Sequence, residues 1–584
     1  MSKHILIART FAAATFAIAL TSSAYAALII SRAQTSGITC AAGVCTATAA
    51  SAVLNIKQLK QLLNAGSLKI ASGSVAQDIE IDDQFTWTSP SRLALDAFRS
   101  ITFDAPVTVE GKGDVTIKTD DGGTGGDYSF VGKGKLAFWD TSSILTINAV
   151  VYTLAADLPS LLDAMGEHPD GAFALVRGYD ASLDGIYQRS PFNGPFSGTL
   201  EGLGHAITNL TVELPTTDFN IGLFKELDAP ASIRDLNLVN VDFEDYSFAQ
   251  VGAVVGYNKG GALKNIFVSG KIEAADGAGV VGGVDTGTLE NIHSSVTVIT
   301  SGAGGGIDIG GVNISGCLFD GTVSAGGEAG GVSAGFYGTM SGCRSTGTVF
   351  GLGYVGGLVG YSKKSTITAS SSSSPVTGGY MFSKNARKKI YSAVGGLVGY
   401  SKGDVITDSY ATGSVTGNRT PYAGGLVGQQ VDGKIVQCFS TGAVSGETAG
   451  GLVGSNSGLI QQSYALGAIQ GAPYVGGLVG EESGKILQSY SIGSVSTATY
   501  SGGVIGFDLP TSSGNSSDYW DLDTSGISNT AQGAGFPAND PGIASLSDAQ
   551  LKSGLPDGLG NDVWAQSPGI NNGYPYLIAN PPPQ

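Results

Sequence analysis

The sequence predicts an all-β fold, a right-handed parallel β-helix of about ten 26-residue coils with caps at both ends. Three observations carry this expectation. First, Gly-Gly-Leu-Val-Gly recurs at Gly356, Gly395, Gly424, Gly450 and Gly476. Degenerate copies begin at Gly252, Ala278, Gly304, Gly330 and Gly502, and only two intervals break the 26-residue period. Second, each copy holds aliphatic residues in fixed register. One set is Leu263, Leu289, Ile314, Met340, Ile367, Ile406, Ile435, Ile460 and Ile486; another is Ile272, Val298, Val323, Val349, Val415, Val444, Ile469 and Val495. Third, glycine makes up 90 of 584 residues while 42% of the chain is hydrophobic. So much glycine excludes an ordinary helical protein, and so much apolar residue excludes a disordered Gly/Ser tract.

Three short strand-like segments per repeat, separated by Gly, Ser and Asn turns, fit one three-sided coil. A single coil cannot bury its inner face, so similar coils must stack and line up like side chains. At ~4.8 Å per coil, ten coils span about 50 Å. Parallel crossovers are overwhelmingly right-handed, which sets the expected hand. The paired glycines mark tight corners, where positive φ or close backbone approach excludes a Cβ. A further column reads Ser or Cys, then often an aromatic: Ser409-Tyr410, Cys438-Phe439, Ser463-Tyr464 and Ser489-Tyr490. It is either a structural stack or a sugar-binding stripe.

Five cysteines are present. Cys40 and Cys45 are close enough to close a small loop in an oxidising compartment. Cys317 and Cys343 occupy the Ser/Cys position of adjacent coils, where a disulfide is within reach. Cys438 has no such partner, and all three also read as small buried residues.

The N-terminus predicts export. Lys3 and Arg9 precede the apolar run Thr10–Leu20, and Ala24-Tyr25-Ala26 fits a cleavage site, so residues 1–26 read as a signal peptide. The run is shorter than the roughly 20 residues a membrane span needs, and the sequence holds no second one. Cleavage removes two bases and no acid, taking the formal charge from −17 to −19. So acidic a chain argues against nucleic acid or anionic membrane as partner. The expected organisation is a β segment over 27–150, a helix-containing lead-in over 151–235, the repeat solenoid over 236–510 and a cap over 511–584. Short helices are expected at Ile56–Ala65, at Leu158–Met165 behind Asp157, and from Ser547.

The Gly-Gly-Leu-Val-Gly copies, several continuing into text such as Ser409-Tyr-Ala-Thr-Gly-Ser-Val, resemble the GLUG repeat of large bacterial surface proteins. Those include filamentous haemagglutinin-like adhesins and some IgA peptidases. The stretch 85–127 resembles filamentous haemagglutinin-type extracellular segments, and Tyr519–Gly526 and Gly573–Leu577 resemble segments C-terminal to such repeats. The resemblance implies an exported, β-helical, adhesin-type surface protein, free or held at the outer bacterial surface. Its partners would be a host or neighbouring cell surface, a glycan or a matrix component. It also brings a second reading, a carbohydrate-active β-helix enzyme of lyase or epimerase type.

The residues supply little for catalysis. There is no His-Glu-x-x-His, and His168, His205 and His293 are isolated. A lyase site needs clustered carboxylates beside a base. The best acidic cluster, Asp120 to Asp127, reads as a solvated turn or a single calcium-type turn. Asp404, Asp432 and Glu447 form no common ladder. No catalytic residue, cofactor or metal ligand is therefore assigned. The most distinctive local feature lies in and beside the longest interval: Lys363, Lys364, Tyr380, Phe382, Lys384, Arg387, Lys388 and Lys389 on an acidic chain. It reads either as a solvated excursion or as a contact for an acidic glycan or partner.

Overall fold

The computed structural model describes residues 26–214, 219–245, 250–379, 392–509 and 514–583. Residues 1–25 of the expected signal peptide and most of the basic interval, including Tyr380, Lys384, Arg387, Lys388 and Lys389, lie outside the described residues. The chain divides into two units, residues 1–134 with 146–149, and residues 135–145 with 150–584.

The first unit is itself solenoidal. Parallel strands stack on one face as Ala52–Asn55, Ala27–Ser31, Asp78–Ile81, Ile101–Phe103 and Tyr128–Phe130. A second face stacks Val44–Ala47, Leu68–Ala71, Leu93–Asp96 and Val115–Lys118. A third pairs Phe85–Trp87 with Pro106–Val109. Like residues meet between coils, as in Ile70, Leu95 and Ile117, and all three are buried. The helix Ile56–Ala65 packs on the strands 52–55 and 85–87. Asn55 caps it by accepting the Lys57 N–H, and Leu59 and Leu63 are its buried face. Cys40 and Cys45 are disulfide-bonded across the antiparallel hairpin Ile38–Ala41/Val44–Ala47.

The second unit carries the repeats. One aliphatic column is continuous in register from Leu200 through Ile233, Leu263, Leu289, Ile314, Met340, Ile367, Ile406, Ile435, Ile460 and Ile486. A second runs Val212, Phe243, Ile272, Val298, Val323, Val349, Val376, Val415, Val444 and Ile469. Val376, in the coil with the longest interval, is thus an additional member. The two units together make about 19 turns, against the ten expected. The surplus lies largely outside the glycine-paced copies. Residues 27–134 and 151–235 coil with other residues, and parallel pairing continues past 510, through Asp518–Asp521, to Ile543–Leu546.

Caps close the second unit's interior. The helix Leu158–Glu167, capped by Asp157 accepting the Ser160 N–H, buries Leu158, Leu161 and Met165. They join the core that holds Phe173, Phe196 and Phe224. Towards the other end, Trp520 stands in register with Ser491 and is fully buried. Residues beyond Ser547, where a capping box starts the short helix Asp548–Leu551, fold over the aromatic column. Tyr410, Phe439, Tyr464 and Tyr490 stack at 4.8, 4.9 and 5.1 Å with interplanar angles of 4–5°. Leu551, Leu559, Trp564, Tyr574 and Leu577 cover the stack. Phe439, Tyr464 and Tyr490 are fully buried, so this column is structural and offers sugars no surface.

The corners decide between the two reasons expected for the paired glycines. The repeat glycines Gly356, Gly395, Gly424, Gly450, Gly476 and Gly502 do not have positive φ. They are required by close approach: a Cβ on Gly356 would lie 1.9 Å from the Val359 carbonyl oxygen and 2.7 Å from the Gly399 nitrogen. Left-handed residues instead sit just before the Ser/Cys column: Asn265, Asn291, Gly316, Gly342, Ala369, Asp408, Gln437, Gln462 and Gln488. A phase also shifts, since the residue in register with Gly330 is Gly305 rather than Gly304.

This corner explains the Ser/Cys column. Each side chain accepts the amide of the preceding coil: Cys343 N–H to Ser370 Oγ at 3.2 Å, Ser370 to Ser409 at 3.1 Å, Cys438 to Ser463 and Ser463 to Ser489 at 3.2 Å. Each also donates two residues back along its own strand, as Ser463 Oγ does to the Gln461 carbonyl at 2.9 Å. The cysteines obey the same rule. Cys317 and Cys343 are unbonded in this structure. Their Sγ atoms donate to the carbonyls of Ser315 at 3.4 Å and Ser341 at 3.5 Å. Ser463→Ala should therefore orphan the Cys438 amide, while the Gln461 carbonyl keeps the Gln437 amide, and cost roughly 2 kcal/mol. Ser463→Cys should cost less, because cysteine fills this position in a neighbouring coil. Urea denaturation of both variants measures the difference.

Candidate functional site

The residues flanking each glycine pair, with rings that reach the surface between the buried Ala393 and Thr448, form the candidate site. One column reads Tyr354, Ala393, Tyr422, Thr448, Tyr474 and Tyr500. Its neighbour reads Gly335, Tyr361, Tyr400, Gln429, Ser455, Glu481 and Phe507. Coil stacking makes these rings neighbours although Tyr474 and Tyr500 lie 26 residues apart in the chain and Tyr361 and Tyr400 lie 39 apart. Two nests result. In the first, Tyr361 stacks on Tyr400 at 5.4 Å and 4°, Tyr354 lies 4.6 Å from Tyr400 and 5.9 Å from Tyr361, and Tyr337 lies 5.9 Å from Tyr361. In the second, Phe507 lies 4.8 Å from Tyr474 and 5.7 Å from Phe536, and Tyr500 packs on all three.

These rings are half in water. Tyr337 is 53% and Phe536 50% exposed, and the other rings are of intermediate exposure. Partial burial raises the phenols of Tyr337 and Tyr400 above their usual range. Gln429, Ser455 and Glu481 put hydrogen-bonding groups between the nests. Flat aromatic faces interleaved with polar groups suit ligands that are apolar on one side and hydroxylated on the other. Beside the first nest, a cavity of about 300 Å³ is lined by Ala303, Ile309, Glu328, Gly335, Tyr337, Tyr354 and Tyr361.

The residues singled out from sequence are placed differently. Lys363 and Lys364 are exposed; Lys363 ends a strand in register with Lys402, and Lys364 has a left-handed φ of 54°. The acidic turn is committed internally. The Asp120 carboxylate accepts the amides of Thr124, Gly125 and Gly126 at 2.7, 2.8 and 3.1 Å, which holds its pKa below the usual range, the Gly126 bond most. Asp121 pairs with Lys118, and Asp127 Oδ1 accepts the Tyr128 amide. His205 is buried, its Nε2 3.0 Å from the Leu136 carbonyl, and burial pushes its pKa down to about 4. His293 Nε2 lies 3.1 Å from Asp320.

Buried acids in the repeats serve the backbone. Asp404 accepts the Ser365 amide and the Ser401 hydroxyl at 2.8 and 2.7 Å. Glu482 accepts from Asn456 Nδ2 at 2.9 Å and from the Gly484 amide, and burial raises it to about 8. Asp518 accepts the amides of Ser489 and Ser516. Among the described residues no group of three or more His, Cys, Asp or Glu is arranged to hold a metal.

Sequence reading missed the aromatic face because its rings do not recur in every copy. The signal was present at fixed offsets from the glycine pair, in Tyr354, Tyr422, Tyr474 and Tyr500 before it and Tyr361, Tyr400 and Phe507 after it.

Fold and face together define a glycine-paced β-solenoid with one outward aromatic surface. Comparison with known proteins adds a name to the repeat: residues 390–416 match the GLUG motif. Halomucin from Haloquadratum walsbyi is 38% identical over 95 residues, 16% of this chain but only 1% of halomucin. A solved structure from Bacteroides ovatus, named as a candidate immunoglobulin A1 protease, aligns over 74% of this chain and 93% of its own. Its identity is 16% and its TM-score 0.18.

Proposed function

We propose that this chain is an exported surface protein that binds glycan or matrix polymers, without catalysis, through the aromatic face of its solenoid. The half-exposed double column of tyrosines and phenylalanines carries the reading. Monomeric proteins seldom leave contiguous aromatic surface to water unless it is used. Successive coils are ~4.8 Å apart, comparable to the advance per sugar in an extended β-linked chain. A polymer laid along the coils therefore meets a ring or a hydrogen-bonding side chain at each step. The buried acids Asp404, Glu482 and Asp518 are occupied with backbone amides, which supports binding over turnover. Export rests on the sequence of residues 1–26. Among the described residues no helix is long and apolar enough to cross a membrane.

The test is a screen of the chain on a glycan array and on whole cells, with product release from the same polysaccharides assayed in parallel. Saturable binding without release supports the proposal. Release of sugar products, above all if dependent on calcium, overturns it in favour of a carbohydrate-active enzyme.

A further inference from the structure

We propose that Tyr337, Tyr354 and Tyr361, with Glu328 at their rim, form an aromatic cage that binds a quaternary ammonium group. This deepens the reading of the aromatic face at one place and rests on that face being a binding surface. The cavity is about 300 Å³, at the small end of ligand sites and suited to a compact headgroup rather than a long chain. Three phenol rings line it, with Tyr361 5.9 Å from each of the other two. Ala303, Ile309 and Gly335 complete the lining.

The chemistry selects a cation. Ring faces carry negative quadrupole density and attract positive charge. Glu328 adds a formal negative charge close enough to Tyr337 to raise its phenol further. Glu328 is one of the lining residues, and among the described residues no hydrogen bond or ion pair engages its carboxylate. The chain's charge of −17 adds long-range attraction for cations. A bare metal ion would find only one carboxylate. A lysine ammonium would have to shed its tightly held water against apolar walls. A trimethylammonium group has no donors to satisfy and presents methyls to the rings and charge to Glu328. The same group comes from two sources, a free solute such as choline or a choline lipid headgroup.

The test uses the full chain. Choline, its uncharged carbon isostere and phosphatidylcholine vesicles are titrated by calorimetry, against phosphatidylglycerol vesicles as control. Choline is expected to bind about tenfold or more tightly than the isostere. Tyr337→Ala and Glu328→Gln should each weaken it about tenfold while leaving thermal denaturation unchanged, since both side chains reach solvent. Retention on phosphatidylcholine vesicles assigns the lipid source, and choline binding without retention assigns the free solute. Equal affinity for choline and its isostere, or no binding of either choline or vesicles, overturns the cage. Lost choline binding with polysaccharide binding intact removes the cage alone. Choline binding without polysaccharide binding keeps the cage and removes the glycan role.

Discussion

Replacing Asp308 with valine is expected to stabilise the chain, strongly at pH 8 and weakly at pH 4. Asp308 stands in an interior column between Val281 on one side and Ser333 and Val359 on the other, and it is fully buried. Its oxygens find no donor beyond the Ser333 hydroxyl, which is already directed at the Gly335 carbonyl at 2.7 Å. Burial raises its pKa from 3.8 to about 7. The folded state therefore holds this proton more tightly than the unfolded state, so the native contribution is intact below about pH 4 and is lost as pH rises towards 7. Three pKa units correspond to about 4 kcal/mol, an upper figure. Valine does not titrate and matches its column, and Ser333 keeps its own acceptor. Urea denaturation at the two pH values measures the gain. It should be on the order of 4 kcal/mol larger at pH 8, whereas an equal gain at both would show that Asp308 does not carry the penalty.

Gly450→Ala should be the most damaging small substitution in the repeats. Its Cβ would meet the Val453 carbonyl oxygen at 2.0 Å and the Gly480 nitrogen at 2.6 Å. Both are backbone atoms fixed by inter-coil pairing, so no rotamer relieves the clash and the stack must part. A loss above about 3 kcal/mol is expected, at the upper end of overpacking costs. Gly166→Ala is the control. It lies in the helix Leu158–Glu167 with nothing within 4 Å of its Cβ, so alanine should stabilise by up to about 1 kcal/mol. Denaturation midpoints that fall equally for both variants would contradict the close-approach account of the repeat glycines.

How far the sequence could be read depended on which physical constraint each residue obeyed. Ile406, Ile435 and Ile460 were legible because every coil must fill the same interior position, so identity repeats with the period. Coils at 27–134 and 151–235 obey the same geometry, but Phe85, Leu93 or Phe224 fill their interiors without glycine pairs, and no period announced them. Cys317 and Cys343 were correctly placed as neighbours, yet spacing says nothing of where a thiol points. The aromatic face was least legible, because outward positions are free to vary. Thr448 and Ser455 interrupt the rings, and only three-dimensional stacking brings Tyr361 against Tyr400. The basic residues at 363–389 drew attention by charge contrast, a surface property that stacking does not impose.

The most direct test of the central claim is retention of the chain on the polysaccharide or cells it recognises, compared with a Tyr361→Ser/Tyr400→Ser/Phe507→Ser variant of unchanged melting temperature. These three rings share one column and lie outside the interior, so the fold should persist. The account predicts that retention falls at least tenfold, the roughly 1.4 kcal/mol that stacking on a few rings supplies. Undiminished retention by the folded variant would contradict it.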